Sequence, residues 1–312
     1  MNAKLRAYFE LLRFPAVFTA VADVMMGFLL THGNLQPPWA FAFLALASSL
    51  MYLAGMVLND VHDAEADAVE RPQRPIPSRR IPISSAQRLG WGMLAGGAVA
   101  AWLVSYLAGN WRPGIVATLL ATSVVLYDIV LKRTAIAPLF MGSCRLLNVL
   151  LGMSLAETAD TMLPRPWSAA EWAIAIGVGI YITGVTIFAR TEARTSSRWQ
   201  LLAGVAVMLT GVAIVLRSAS FAGVADTGIL GLKPTSWPLV WCVMVLMMSL
   251  PFVLATVRPS PDVVQFAVRR ALRMLIILDL AAASVRSPDV FILVFLSLLV
   301  LMIVLDRRFS TT

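Results

Sequence analysis

Asn59-Asp60-Val61-His62-Asp63-Ala64-Glu65-Ala66-Asp67 follows directly on a largely apolar run at residues 39–58. That run is long enough to cross a bilayer, which needs about 20 such residues. The acids after it stand where a bilayer has little use for charge. On a regular helix Asn59, Asp60, Asp63 and Asp67 fall within an arc of about 100°. Three carboxylates on one face repel one another unless something cationic joins them. A hard divalent ion such as Mg²⁺ does this, keeping few protein ligands and sharing its shell with phosphate oxygens. The stretch therefore predicts a helical membrane protein with Mg²⁺ held by Asn59, Asp60, Asp63 and Asp67, and a diphosphate beside it.

The rest of the chain agrees. Of 312 residues 59% are hydrophobic and only 13% charged, with a mean hydropathy of +0.80; soluble domains carry about 25% charged residues. Apolar stretches of spanning length lie at 15–33, 39–58, 86–108, 113–131, 136–156, 169–189, 199–217, 237–257, 268–285 and 288–306. The stretch at 268–285 is the weakest, being short and carrying Asp279. Nothing alternates at barrel spacing. The expected fold is all-α, a polytopic transmembrane bundle of nine to ten spans forming a single domain over residues 1–312. The first apolar run lacks a small-residue cleavage pattern, so it reads as a retained span.

Most of the 25 Lys and Arg residues fall on one side of this topology. Lys4, Arg6 and Arg13 lie there, as do the arginines of 71–88, Lys132 and Arg133, Arg190 to Arg198, and the basic residues near 258–273 and 307–308. The positive-inside rule puts that side, with the N-terminus and the aspartate motif, in the cytoplasm of a plasma membrane protein. The net charge of +8 thus reports orientation and an attraction to anionic membrane lipid. It does not report nucleic acid, since no basic segment is interleaved with stacking aromatics. Cys144 and Cys242 both sit in spans, which excludes a disulfide framework.

Other polar residues gather near the same side. The motif runs on into Glu70-Arg71-Pro72-Gln73-Arg74-Pro75-Ile76-Pro77-Ser78-Arg79-Arg80, where the prolines predict an ordered, non-helical cap. Arg71 and Arg74 can fork onto phosphate oxygens. Arg13 reads equally as an interfacial anchor or a site residue; Tyr127 and Asp128 lie at a depth that a polar cavity would explain, the other reading being an aromatic-belt tyrosine beside snorkelling bases. Arg145 and Asn148 share a face inside the fifth span. Charge at that depth faces a cavity or an ion-pair partner, for instance Asp128. On the sixth span Thr183, Thr186, Arg190 and Arg194 share one face; Glu192 lies nearly opposite if the helix is regular. One of these faces lines the cavity. Asp23 and Asp279 are lone in-span acids, each open to a buried arginine or a substrate path. His62 reads as a solvated neighbour of the motif.

Taken together, Arg13-Phe14-Pro15, the Asn59-Asp60-x-x-Asp63-x-x-x-Asp67 motif, its Arg71-Pro72-x-Arg74-Pro75-Ile76 sequel, and Tyr127 with Lys132-Arg133 resemble the UbiA superfamily of intramembrane prenyltransferases. The resemblance covers Arg13 to about Arg198. It implies a helical bundle open laterally to lipid. It also implies Mg²⁺-dependent transfer of a polyprenyl group from its diphosphate to a small-molecule acceptor, often aromatic. Asp60, Asp63 and Asp67 would then be catalytic through Mg²⁺. Arg71, Arg74, Lys132 and Arg133 would neutralise the departing diphosphate, and Tyr127 would orient it. Arg13, Asn59, Arg145, Asn148, Arg190 and Glu192 complete the expected substrate site. One departure stands out. The family carries a second aspartate-rich motif at the inner end of the sixth span, where this chain has Ala189-Arg190-Thr191-Glu192-Ala193-Arg194. In this it resembles the divergent EboC-like branch, linked to secondary metabolites. That departure motivates an alternative: a non-catalytic relative that binds or translocates a lipid-like secondary metabolite.

Overall fold

The computed structural model describes residues 2–156, 165–192, 195–221, 237–284, 286–287 and 290–309. It is helical throughout, with no strand among the described residues. The helices are α1 (Ala3–Leu11), α2 (Val17–His32), α3 (Pro38–His62), α4 (Ala64–Glu70), α5 (Ile83–Ala108) and α6 (Arg112–Leu126). After a π turn at Tyr127–Leu131 come α7 (Ala137–Gly152), α8 (Ala169–Ala189), α9 (Arg198–Phe221), α10 (Trp237–Val257), α11 (Pro261–Ala283) and α12 (Val290–Phe309). Every apolar stretch of the sequence falls on one of them.

Among the described residues, seven helical segments are long and apolar enough to cross a membrane: Phe14–His32, Pro38–His62, Ile83–Ala108, Arg112–Leu131, Ala169–Ala189, Arg198–Ser218 and Val290–Phe309. The nine or ten expected spans also included α7, α10 and α11. Helix α7 is apolar but only 16 residues long. Helix α11 carries Asp262, Arg269, Arg270, Arg273 and Asp279.

Consecutive helices pack on one another along most of the chain, and α11 closes back on α2 and α8. Helix α2 is the most enclosed span and packs against α3, α7 and α11. Its closeness to α7 depends on two glycines. A Cβ on Gly27 would lie 2.4 Å from the Val149 carbonyl oxygen, and one on Gly152 would lie 2.3 Å from that of Val24. Small residues let membrane helices approach this closely. Gly152→Ala therefore drives α2 and α7 apart. The expected cost is about 1–3 kcal/mol, read as a lowered unfolding temperature in detergent.

The proline-rich stretch after α4 is an ordered, non-helical cap, as the sequence indicated. Its turns are closed by backbone hydrogen bonds such as Arg74 N to the Arg71 carbonyl (3.0 Å) and Ile81 N to the Pro75 carbonyl (3.1 Å). Ile76 and Ile81 are buried with Ala7, Leu11, Val57 and Val61, so the cap is seated on α1 and α3. Arg80 pins it further, donating to buried Glu10 of α1 and to the Gln73 carbonyl at 2.7 Å.

Candidate active site

The aspartate motif does not lie on one unbroken helix. Helix α3 ends at His62, Asp63 caps it, and α4 begins at Ala64. Hydrogen bonds from Asp63 N to the Asn59 carbonyl (3.0 Å) and from Asp67 N to the Asp63 carbonyl (2.8 Å) carry the helical path across the break. The four side chains separate into two pairs. Asn59 and Asp63 converge on Lys132, whose Nζ is 2.6 Å from Asn59 Oδ1 and also bonds Asp63 Oδ2. Asp60 and Asp67, both buried, share Arg74: its Nη1 lies 3.2 Å from Asp60 Oδ1 and 2.6 Å from Asp67 Oδ2. Arg13 Nη2 adds a second bond to Asp60 Oδ1 at 2.8 Å.

Arg13 reaches Asp60 from an unusual backbone position. Its φ of 44° lies in the left-handed region that non-glycine residues seldom adopt. The kink turns the chain from α1 into the short Phe14–Ala16 turn and brings the guanidinium to the motif. Burial pulls its pKa down, but Asp60, Tyr52 and Glu192 together outweigh that and hold it above the ordinary arginine value. The structure thus places Arg13 against the motif and on the wall of the neighbouring cavity.

A cavity of about 390 Å³ opens between these groups. Asn59, Asp63, Arg71, Arg74, Lys132, Arg190 and Glu192 line its charged end. Met51, Gly55, Leu120, Val124 and Met141 make apolar walls further in, and Ser48, Arg145 and Asn148 lie on its polar floor. Along α3 from Ser48 to Asn59 the cavity runs about 16 Å at the helical rise of 1.5 Å per residue. Its volume lies in the usual range for ligand pockets.

The floor is a buried polar cluster. Arg145 donates to Asp23 Oδ2 and Thr19 Oγ1, both at 2.7 Å, and its guanidinium lies over the Tyr52 ring at 4.8 Å. Asn148 Nδ2 donates to Asp23 Oδ2 at 3.0 Å, and Ser48 Oγ donates to Asn148 Oδ1 at 2.6 Å. The partner of Arg145 is Asp23, one of the in-span acids open to a buried arginine, and not Asp128, the example the sequence offered. The glycine-mediated approach of α2 to α7 puts Asp23 within reach, and spacing along one chain does not reveal such a contact. Asp279 of α11 stands beside Asp23 in the same core.

The two faces expected of the sixth span both reach the cavity. Helix α8 ends at Ala189, so Arg190, Thr191 and Glu192 leave the helical register, and Thr186, Arg190 and Glu192 all line the wall. Arg71 Nη2 faces Glu192 Oε1 at 4.0 Å. Burial pushes the Glu192 carboxyl above its ordinary pKa, against the pull of Arg71, Arg13 and Arg74. Arg194 lies outside the described residues.

Of the residues expected in the site, Arg13, Asn59, Asp63, Arg71, Arg74, Tyr127, Lys132, Arg145, Asn148, Arg190 and Glu192 line this one cavity. Asp60 lines an adjoining cavity of about 250 Å³, which shares Arg13, Arg71, Arg74 and Glu192 with the first. Asp67 sits behind Arg74. Arg133 is exposed and lines neither. His62 is exposed, its Nδ1 2.7 Å from the Leu58 carbonyl oxygen. Ser48 and Tyr52 were not expected on the wall, whereas Thr186 and Asp128, also on it, had each been open to a cavity role. The first two were legible: Ser48, Tyr52, Gly55, Asn59 and Asp63 fall within about 80° at 100° per residue.

The donor set suits Mg²⁺ in one respect. The oxygens of Asn59 and Asp63 are hard donors that already converge on a single cation, the Lys132 ammonium. Among the described residues no three acidic, histidine or cysteine side chains form a ready metal cage. Two protein oxygens, completed by phosphate and water, match the habit of magnesium.

The profile of the UbiA prenyltransferase family matches residues 20–198. Digeranylgeranylglyceryl phosphate synthase of Ignicoccus hospitalis is 32% identical over 173 residues, covering 55% of this chain and 50% of that protein. The synthase of the same name from Saccharolobus solfataricus is 29% identical over 162 residues, covering 52% and 55%. The chain spans about half the length of these curated relatives. In fold it is similar to a UbiA homolog from Archaeoglobus fulgidus bound to GPP and Mg²⁺, with a TM-score of 0.61 at 13% identity over 89% of this chain and 99% of that one. The apo UbiA homolog from Aeropyrum pernix K1 gives 0.58 at 17% identity over 85% and 96%.

Proposed function

The chain belongs to the UbiA prenyltransferase family, and on that premise we propose that it is an integral membrane enzyme transferring a polyprenyl group from its diphosphate to a small-molecule acceptor. One observation carries this reading: a single cavity has acids and cations at one end and apolar walls behind them. The charged end suits a diphosphate and the walls suit a prenyl tail. The positive-inside pattern supports placing that end at the cytoplasmic face.

Asn59 and Asp63, with Asp60 and Asp67 behind them, would hold Mg²⁺. Bound there, the ion supplies charge neutralisation of the diphosphate. Arg71, Arg74, Lys132 and Arg190 are aimed at the same space. Ionising an allylic C–O bond builds negative charge on the leaving group, so fixed cations there stabilise the transition state more than the ground state. Asp60 and Asp67 keep Arg74 and Arg13 in place for this task. Met51, Leu120, Val124 and Met141 hold the tail and keep water from the allylic carbon.

An aromatic acceptor was the family-based expectation. The curated relatives carry the name digeranylgeranylglyceryl phosphate synthase, not that of the EboC-like branch. A hydroxyl on a prenylated glyceryl phosphate is therefore the acceptor to test first. The second reading, a non-catalytic binder or translocator of a lipid-like metabolite, draws on Glu192. It is the sole acid in the altered 189–194 stretch and faces Arg71.

Purified protein with geranylgeranyl diphosphate, Mg²⁺ and either geranylgeranylglyceryl phosphate or 4-hydroxybenzoate separates the two readings by diphosphate release. Release that depends on acceptor supports transfer; tight binding with no release under any acceptor supports the alternative. Arg190→Ala is expected to weaken diphosphate binding about tenfold, the loss of one charge-assisted hydrogen bond. Unchanged binding would remove Arg190 from the site.

A further inference from the structure

Asp128 is the carboxyl of the cavity wall that the diphosphate site leaves unused. It lines the main cavity and is buried. Its Oδ2 is closed off from solvent and has no hydrogen-bond partner. The other two acids on the wall are engaged: Asp63 with Lys132 and Glu192 with Arg71. No cation pairs with Asp128 at salt-bridge distance among the described residues.

Its position follows from the π turn at Tyr127–Leu131, where Lys132 N bonds the Tyr127 carbonyl at 2.9 Å. On an α-helix Tyr127, Asp128 and Lys132 would spread over about 140°. The wider turn reduces the rotation per residue and brings all three to one cavity. Single π turns inside helices recur at functional sites. Lys132 reaches the diphosphate end, and Asp128 lies one turn further in. On the transfer reading, a diphosphate held at the charged end would direct its prenyl carbon toward this inner part of the cavity.

Resting on the transfer reading above, we propose that Asp128 is the catalytic base for a hydroxyl-bearing acceptor. The allylic C–O bond breaks and its electron pair leaves with the diphosphate. A lone pair of the acceptor oxygen forms the new C–O bond, and the hydroxyl proton passes to the Asp128 carboxylate. The cations nearby are already committed to the leaving group, so they stabilise departing charge and take no proton. Asp128 is the group on the wall that is free to receive one.

The test compares wild type, Asp128→Asn and Asp128→Glu, each with geranylgeranyl diphosphate, Mg²⁺ and geranylgeranylglyceryl phosphate. Asp128→Asn is expected to lower kcat for prenyl transfer at least about 100-fold, the usual range for loss of a general base. Its KM for the diphosphate stays within about threefold, and Asp128→Glu recovers part of kcat. A merely structural role would move KM and stability together and would gain nothing from glutamate. Transfer by Asp128→Asn near the wild-type rate overturns the proposal and leaves the transfer reading standing. Wild type that releases no diphosphate with geranylgeranylglyceryl phosphate overturns the base proposal for this acceptor, and no release with 4-hydroxybenzoate either overturns the transfer reading as well. If Asp128→Asn does not fold, the glutamate variant decides: kcat lowered with KM held supports the base, and both unchanged overturn it.

Discussion

Asp63→Ala lowers Mg²⁺-dependent diphosphate release by at least about 100-fold, the scale on which loss of one preorganised electrostatic group acts. Asp63 combines two properties that no other acid of the motif has. It lines the cavity, and its oxygen converges with that of Asn59 on one cationic point. Asp60 and Asp67 stand behind it and act through Arg74 and Arg13. The fold should tolerate the change. The Asp63–Lys132 pair is partly exposed, and such pairs contribute about 0–1 kcal/mol. The measurement is initial-rate diphosphate release at saturating Mg²⁺, paired with an unfolding curve. Activity lost with the unfolding curve intact is the expected result. Wild-type release would remove Asp63 from the ion's shell.

Arg145→Leu gives the largest expected change in stability, about 3–5 kcal/mol, the cost of leaving one member of a buried ion pair unpaired. Asp23 is fully buried and Arg145 nearly so. Removing the guanidinium leaves the Asp23 carboxylate with Asn148 alone and strips the cation from the core that Asp279 shares. The double variant Asp23→Asn with Arg145→Leu should recover most of the loss, since no ion is then stranded. Detergent-induced unfolding of the wild type, both single variants and the double variant measures the coupling. Additive losses would show that the pair is not the element that matters.

The sequence made much of this visible, and the limits have physical causes. The helical bundle was legible because apolar runs of spanning length have no other structure available to them in lipid. The charged end of the cavity was legible because Asn59, Asp63, Arg71 and Arg74 lie close together in the chain and are bound by one helical path and its cap. Lys132 joined them only through contact between α3 and the π turn, yet its basic character near a span end was already a signal. Three features needed the three-dimensional packing to decide them. Asp23 as the partner of Arg145 depends on how closely α2 approaches α7 across Gly27 and Gly152. The joint use of Arg190 and Glu192 depends on α8 ending at Ala189, whereas a regular helix would have set them on opposite faces. The division of the motif into an Asn59–Asp63 pair and an Asp60–Asp67 pair depends on the break at Asp63 and on which cation reaches each carboxylate.

Binding of geranylgeranyl diphosphate to the purified wild-type protein, measured by calorimetry with Mg²⁺ and again with EDTA, puts the central idea to the most direct test. Tight binding with Mg²⁺ that is displaced by inorganic diphosphate and weakens at least about tenfold in EDTA, or about 1.4 kcal/mol, is the result expected of a metal-bridged headgroup seated at Asn59, Asp63 and their neighbouring cations. Equal affinity in the two buffers, or no binding in either, would contradict it.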